Sequence, residues 1–216
     1  MNQQKISNIP HQILDNYRPL SLWESFYLRV RWRLCPYGLL EPFLPTSGNL
    51  LDVGCGYGIL ANYLVYKRPS RNILGIDSNI KRIQSAQRSV KGRYNLSFHC
   101  IPVERLETAQ YDAIVITDVL HHIDDINLES LLKIINASLK NGGILAIIDI
   151  DRIPLLKFCF TYMIDRLLNP RDQLYYRSVK KMRSLIKKFH LYEKKTIPVR
   201  QGLPLSDVMY VYKKGP

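Results

Sequence analysis

The chain reads as an α/β protein built on a doubly wound, mostly parallel sheet that finishes with an antiparallel pair. Three observations predict this. From Asn49 onward, short apolar strand-type runs alternate with helix-type periodicity. The first of those runs feeds directly into a glycine-rich loop. Near the other end, residues 193–199 and 208–212 are two extended runs with no helical pattern between them. Strands separated by helices form right-handed β-α-β crossovers, which places helices on both faces of a parallel sheet.

The elements follow in order. Leu22, Phe26, Arg29, Val30 and Arg33 fall on helical spacing, and Pro36 and Pro42 then break the pattern. Residues 1–45 are therefore expected to form an N-terminal helical cap. Residues 50–53 are the first strand, and a helix over 59–66 follows the glycine loop. Residues 73–76 are the second strand. Ser78 or Asn79 can then cap a helix carrying Ile80, Ile83, Ala86 and Val90 along one side. Residues 96–100 are the third strand, and 113–116 form an apolar fourth, as expected for a strand covered on both faces. Leu128, Leu131, Leu132, Ile135 and Leu139 mark an amphipathic helix, and Asn141-Gly142-Gly143 is expected to end it. Residues 144–150 are the fifth strand and close a core region of 46–150. Residues 151–216 read as substrate-covering helices and then the antiparallel pair, its 200–207 connection containing Gly202 and Pro204. The expectation is one domain spanning 1–216.

Composition narrows the classes. With 216 residues, 46% hydrophobic and 23% charged, the chain can bury a core of ordinary size. The most apolar stretch, 144–168, is interrupted by Asp149, Asp151, Arg152, Lys157, Asp165 and Arg166, so no run spans a bilayer. The first ten residues are polar and lack the apolar region of a secretory signal, and a cytoplasmic protein is expected. Cys35, Cys55, Cys100 and Cys159 stand singly, without CxxC or Cys/His spacing, so neither a disulfide framework nor a metal is expected. The net charge of +13 is uneven: residues 152–216 hold 15 basic and 4 acidic side chains, whereas 51–151 hold 11 of each. Such a field suits an anionic partner, although a merely solubilising face has the same composition.

The sharpest local signal is Leu50-Leu51-Asp52-Val53-Gly54-Cys55-Gly56-Tyr57-Gly58, a strand entering a G-x-G-x-G loop. A loop without Cβ atoms lets backbone turn sharply and approach a ligand. The helix behind it directs free N–H groups at negative charge. Asp77 ends the second strand, where an acid can accept both hydroxyls of a ribose. A dinucleotide loop would put its third glycine one residue later, and no Gly-Lys-Ser/Thr ending marks a phosphate loop.

At this point the residues resemble the class I S-adenosylmethionine-dependent methyltransferase family over roughly 45–150. The blocks are Leu51-Asp52-Val53-Gly54-Cys55-Gly56-Tyr57-Gly58, Gly75-Ile76-Asp77, Tyr111-Asp112-Ala113-Ile114-Val115, Asp118-Val119-Leu120-His121-His122-Ile123 and Leu139-Lys140-Asn141-Gly142-Gly143-Ile144-Leu145. The resemblance implies a Rossmann-like, seven-stranded sheet with an antiparallel C-terminal strand. It also implies S-adenosylmethionine as cofactor and S-adenosylhomocysteine as product. Asp52 and the backbone at Gly54, Cys55, Gly56 and Gly58 would hold the methionine moiety, Asp77 the ribose, and Ser78 would lie beside the adenine. Many members carry an Asp after the third strand for the adenine amino group. Here Pro102 stands there, followed by Val103, with Glu104 as a substitute.

A sulfonium methyl is already electrophilic, so the protein mainly aligns the acceptor and excludes water; a base helps only a protonated acceptor. Asp118, His121 and His122, just after the fourth strand, are the candidates, and Asp118 could instead contact the cofactor's ammonium. Tyr27, Arg31, Tyr176 and Arg177 are candidate substrate contacts from the covering segments. The apolar 153–168 stretch beside the basic 177–188 run suits a small-molecule or lipid-like acceptor and contact with an anionic membrane. A nucleic-acid methyltransferase rests on charge alone, since no Asn/Asp-Pro-Pro-Tyr/Phe motif follows the fourth strand. A non-catalytic cofactor-binding protein is the third reading.

Overall fold

The computed structural model describes residues 9–19, 21–152, 154–168, 173–199 and 205–216. Gly202, Pro204 and Ile153 lie outside the described residues. The described residues open with two helices, α1 (His11–Asn16) and α2 (Leu22–Leu34). Alternation then gives β1 (Gly48–Val53), α3 (Ile59–Lys67), β2 (Arg71–Ile76), α4 (Ile80–Arg88), β3 (Leu96–His99), β4 (Tyr111–Thr117), α5 (Asp125–Ser138) and β5 (Leu139–Ile150). Two further helices, α6 (Leu155–Leu168) and α7 (Val179–Lys187), precede β6 (Leu191–Pro198) and β7 (Asp207–Lys214). The seven strands lie in the order β3-β2-β1-β4-β5-β7-β6. β1 to β5 pair in parallel, and β7 runs antiparallel to both β5 and β6. This is the mostly parallel seven-stranded sheet with an antiparallel C-terminal strand that the sequence predicts.

The period of two along each strand sorts neighbouring residues into two cores. Leu50, Ala113 and Val115 face α3 and α4 residues such as Ile59, Leu60 and Ile83, and Leu28 of α2 joins them. Leu51, Ile114 and Ile116 face the other way, onto Leu128, Leu132 and Ile135 of α5 and Met182 and Ile186 of α7. Strands buried on both faces must read as unbroken apolar runs, and Ala113 to Ile116 are all 0% exposed.

One helix boundary differs from the sequence expectation. α5 ends at Ser138, and Asn141-Gly142-Gly143 lies inside β5 instead of terminating the helix. The left-handed Gly142 (φ 75°) sits where β5 slips register against β4, between Tyr111 and Ala113. The glycines permit an irregular strand entry, not a helix cap. The basic C-terminal third is also partly neutralised in place: Arg183 pairs with Glu193 at 2.6 Å, Lys188 with Glu129 at 2.6 Å and Lys181 with Asp125 at 3.1 Å. Among the described residues, no helix is long and apolar enough to cross a membrane.

Candidate functional site

β1 and β4 are neighbours, but the chain leaves β1 toward β2 and returns to β4 from the other side. A crevice opens outside the carboxyl ends of strands at such a reversal. Here it is a cavity of about 530 Å³, within the roughly 300–1,000 Å³ typical of small-molecule sites. The loop after β1 forms its floor. Gly54 and Cys55 donate backbone hydrogen bonds to the Ile76 carbonyl at 2.8 and 3.0 Å, which ties the loop to the end of β2. Gly54, Gly56 and Gly58 are all left-handed (φ 70°, 54° and 77°).

These glycines serve different ends. A Cβ on Gly54 would lie 2.3 Å from Val119 Cγ2, and one on Gly58 2.5 Å from Phe98 Cζ. Packing forbids side chains there. A Cβ on Gly56 would meet nothing within 4 Å, so this glycine supplies the turn and leaves the cavity side bare. Gly56, Gly54 and Cys55 border the cavity, whereas Gly58 stands behind it as the N-cap of α3.

Two carboxylates flank the loop. Asp77 accepts from the Gly56 amide at 2.9 Å through Oδ2 and from the Asn79 amide at 2.8 Å through Oδ1. It thereby braces the glycine loop against the start of α4 while lining the cavity. Asp52, at the end of β1, is 1% exposed, and neither of its oxygens accepts a hydrogen bond of ordinary geometry. Burial, reinforced by the nearby Asp77 charge, pushes its carboxyl up to about 7, with the Ala61 amide and Arg31 pulling the other way. A buried carboxylate facing a cavity without a partner is costly unless a cationic donor arrives. The ammonium of an amino-acid moiety is such a donor. Asp52, the open face at Gly56 and Asp77 thus fit the methionine and ribose parts of S-adenosylmethionine. Ser78, Ile101, Pro102, Val103 and the exposed Glu104 line the wall beyond Asp77. Burial pushes the Cys55 thiol well up, with Asp52 and Asp77 adding to the effect, so it is an inert small residue.

Asp118 follows β4 in a left-handed conformation (φ 59°), pinned by its amide on the Ile148 carbonyl at 2.8 Å. Its Oδ2 forms an ion pair with Arg31 of α2. His121 lies 3.7 Å from its Oδ1 through Nε2, and its Nδ1 meets Asp149 Oδ1 at 2.5 Å. Asp118, His121 and Asp149 bring three ligand-type atoms within 4.8 Å of one another. The Arg31 guanidinium already supplies positive charge to that group.

The sequence-predicted residues divide accordingly. Tyr27, Arg31, Asp118 and His122 border the cavity; His121 is buried behind it. Tyr176 stacks on His121 with ring centroids 5.7 Å apart. Arg177 donates to the Leu120 carbonyl at 2.8 Å, to Asp125 at 2.7 Å and to the Ile123 carbonyl. Neither Tyr176 nor Arg177 reaches the cavity; Arg177 holds the 120–125 loop in shape.

A second cavity, about 150 Å³, adjoins the first. Tyr27, Arg31, Tyr57, Arg82 and Asp118 line both. The Tyr27 and Tyr57 rings, centroids 4.7 Å apart, form part of the shared wall. The sequence reading missed this cavity, together with Arg82, Ile101 and Asp149. Only Asp149 left a signal, as an acid inside the apolar run of β5.

A family model described as a methyltransferase domain matches residues 27–193. The ubiquinone biosynthesis O-methyltransferase of Acinetobacter baylyi is 34% identical over 114 residues, covering 49% of this chain and 45% of that one. The enzyme of the same name from Bordetella avium is 30% identical over 131 residues, covering 59% and 51%. The chain spans about half the length of these curated relatives. Among solved structures, a SAM-dependent methyltransferase of Methanosarcina mazei superposes with a TM-score of 0.67 at 16% identity, covering 82% of this chain and 97% of that one. The 1,6-didemethyltoxoflavin-N1-methyltransferase of Burkholderia thailandensis, solved with 1,6-didemethyltoxoflavin and S-adenosylhomocysteine, gives 0.65 at 19% identity, covering 83% and 76%. At these identities the superpositions speak for the fold. With the domain model spanning more than half of its length, the chain belongs to the methyltransferase-domain family.

Proposed function

We propose that this protein transfers a methyl group from S-adenosylmethionine to a small-molecule or lipid-like acceptor. The observation that carries the reading is Asp52: a buried carboxylate that accepts no hydrogen bond of ordinary geometry, on the wall of a cavity floored by bare backbone. In this reading Asp52 takes the cofactor's ammonium, and the backbone at Gly54, Cys55 and Gly56 lies along its methionine chain. Asp77 accepts from the ribose hydroxyls, and Ser78, Pro102 and Val103 border the adenine. When bound, the cofactor supplies an electrophilic methyl and a neutral leaving group, so the chain's own task is alignment and exclusion of water. α2 supports that task by laying Tyr27 and Arg31 over the cavity. His122 and Asp118 stand at its acceptor end. The relatives' printed name, O-methyltransferase of ubiquinone biosynthesis, supports an oxygen on a small molecule as the methylated atom.

Titration of the full chain with S-adenosylhomocysteine by calorimetry tests the cofactor half of the reading. Binding at micromolar concentration, lost in Asp52→Ala, is expected; no binding overturns it. Transfer of labelled methyl to a small molecule or lipid in an extract tests the acceptor half, and label found only in nucleic acid or protein overturns that half.

A surface feature favours membrane contact. Leu22, Trp23 and Phe26 of α2 and Leu155, Leu156 and Met163 of α6 are exposed, Leu22 by 94% and Leu156 by 87%. Arg29, Arg33 and Lys157 stand on the same helices. Apolar side chains mixed with cationic ones suit reversible seating on anionic lipid. Flotation with phosphatidylglycerol vesicles, lost when Leu22 and Leu156 become Ser, is the expected outcome. Equal flotation of the double variant would remove this reading.

A further inference from the structure

The Tyr57–Gly58 peptide lies inside the glycine loop, between the left-handed Gly56 and Gly58. Glycine takes positive and negative φ about equally well, so a peptide that ends on one can turn over. This peptide is held from both sides. Its N–H, that of Gly58, donates to the Cys55 carbonyl at 2.8 Å. Its carbonyl, that of Tyr57, accepts from the Tyr17 hydroxyl at 2.9 Å. Tyr17 stands 40 residues away in the sequence, as the C-cap of α1. Resting on the function proposed above, we propose that Tyr17 is a positioning residue for the cofactor site. It acts through the Tyr57–Gly58 peptide, and so couples the docking of α1 to the shape of the loop that meets the cofactor.

The hydroxyl is aimed by its surroundings. Tyr17 is 1% exposed, and Ile13 and Leu14 of α1 are buried in the same core. The hydroxyl oxygen accepts from Asn62 Nδ2 at 3.0 Å, which leaves its own hydrogen for the Tyr57 carbonyl. Asn62 of α3 is fully buried and is fixed in turn. Its amide nitrogen also faces the Gly58 carbonyl at 2.9 Å and the Ser89 hydroxyl at 2.8 Å, and its oxygen accepts from Arg93 at 2.6 Å. Ser89 donates to the Ala86 carbonyl at 2.6 Å, so its oxygen is available to Asn62. Burial pushes the Tyr17 phenol well above its ordinary value, and it stays a donor at neutral pH.

This network joins α1, the loop, α3 and the end of α4. Turning the peptide over would strand the Tyr17 hydroxyl and the Gly58 amide, and stranded buried donors are costly. One orientation is therefore selected. The consequence reaches the cavities, because Tyr57 borders both and the neighbouring Gly56 amide donates to Asp77 at 2.9 Å. Coupling of this kind is reciprocal: a docked α1 favours the bound loop, and a bound loop favours docked α1.

The test uses the full chain and its Tyr17→Phe and Ile13→Val variants, with S-adenosylhomocysteine as probe, read by calorimetry and amide hydrogen exchange. Tyr17→Phe keeps the ring and removes the hydroxyl. Ile13→Val thins the packing of α1 and leaves the clamp on the peptide in place. Without ligand, Tyr17→Phe should speed exchange at the Gly58 amide at least tenfold. The Ile83 amide of α4, bonded to the Asn79 carbonyl at 3.1 Å, should stay within twofold. S-adenosylhomocysteine should bind Tyr17→Phe at least fivefold more weakly and Ile13→Val within twofold of the unaltered chain. A tyrosine that only stabilised the fold would lower the urea midpoint and move neither the Gly58 exchange nor the affinity. In the unaltered chain, saturating S-adenosylhomocysteine should slow the Ile13 and Leu14 amides of α1 at least threefold more than the Met182 amide of α7. That measurement decides the matter should Tyr17→Phe fail to fold. Unchanged Gly58 exchange, unchanged affinity in Tyr17→Phe, an equal loss in Ile13→Val, or no excess slowing in α1 would overturn the positioning role alone. An unaltered chain that binds no S-adenosylhomocysteine overturns the proposed function and, with it, the cofactor role of Tyr17.

Discussion

The two cavities are built by different means. The larger one has a floor of main chain and strand ends: the left-handed Gly54 and Gly56, amides tied to the Ile76 carbonyl, and two aspartates closing β1 and β2. The smaller one is made of side chains from α2, α6, β5 and residues 205–207. Backbone geometry admits few substitutions, so the floor of the first cavity is fixed in shape and chemistry. Side-chain walls can be exchanged at small cost while the fold is kept.

Four substitutions press on this contrast. The largest effect belongs to the glycine loop: Gly54→Ala places a methyl against Val119 at a left-handed φ of 70°. It should cost about 2–4 kcal/mol of stability in urea unfolding. A loss under 1 kcal/mol would mean the loop is as adaptable as the helical side. Next is Asp77→Ala, expected to weaken S-adenosylhomocysteine binding by about 1–3 kcal/mol in calorimetry. Unchanged affinity would remove Asp77 from the site. On the side-chain-built half, Ser21 and Glu24 form a capping box at the start of α2, and Glu24 also bonds Ser85 at 2.7 Å. Ser21→Ala should cost about 1 kcal/mol and leave S-adenosylhomocysteine affinity within a few fold. A complete loss of cofactor binding would show that α2 belongs to the rigid half.

The fourth substitution concerns a proton. Burial first, and then Asp77, raises the Asp52 carboxyl from 3.8 to about 7 in the folded chain. The folded state therefore binds more protons than the unfolded one between those values. Stability without ligand should fall as pH rises from 4 toward 7, and level off above. Asp52→Asn should flatten that slope. An ammonium ligand favours the carboxylate, so S-adenosylhomocysteine binding at pH 6 should release a fraction of a proton, seen as a buffer-dependent heat. Proton uptake, or the same heat in Asp52→Asn, would count against Asp52 as the ammonium site.

The same contrast explains what could be read from the chain. β1, β2 and β4 are apolar because both faces are covered, and positions 54, 56 and 58 are glycines because side chains clash or φ is positive. Such local causes leave local marks. Asn141-Gly142-Gly143 misled because the same residues serve a helix end and an irregular strand entry. The sequence shows the Arg177 guanidinium but not the Leu120 and Ile123 carbonyls it faces. The small cavity joins residues 23–35, 118, 148–150, 161 and 205–207. Its parts become neighbours only through the strand order, and no window of sequence contains them.

One feature of the sheet bears on how this protein is born. β7 lies between β5 and β6, although β6 precedes it in the chain. Until residues 207–214 have left the ribosome, β6 has no neighbour to join, and β5 presents its long hydrophobic border, Ile144 to Ile150, unsealed. Nascent chains stalled before that point carry an open sheet edge of the kind that recruits other chains.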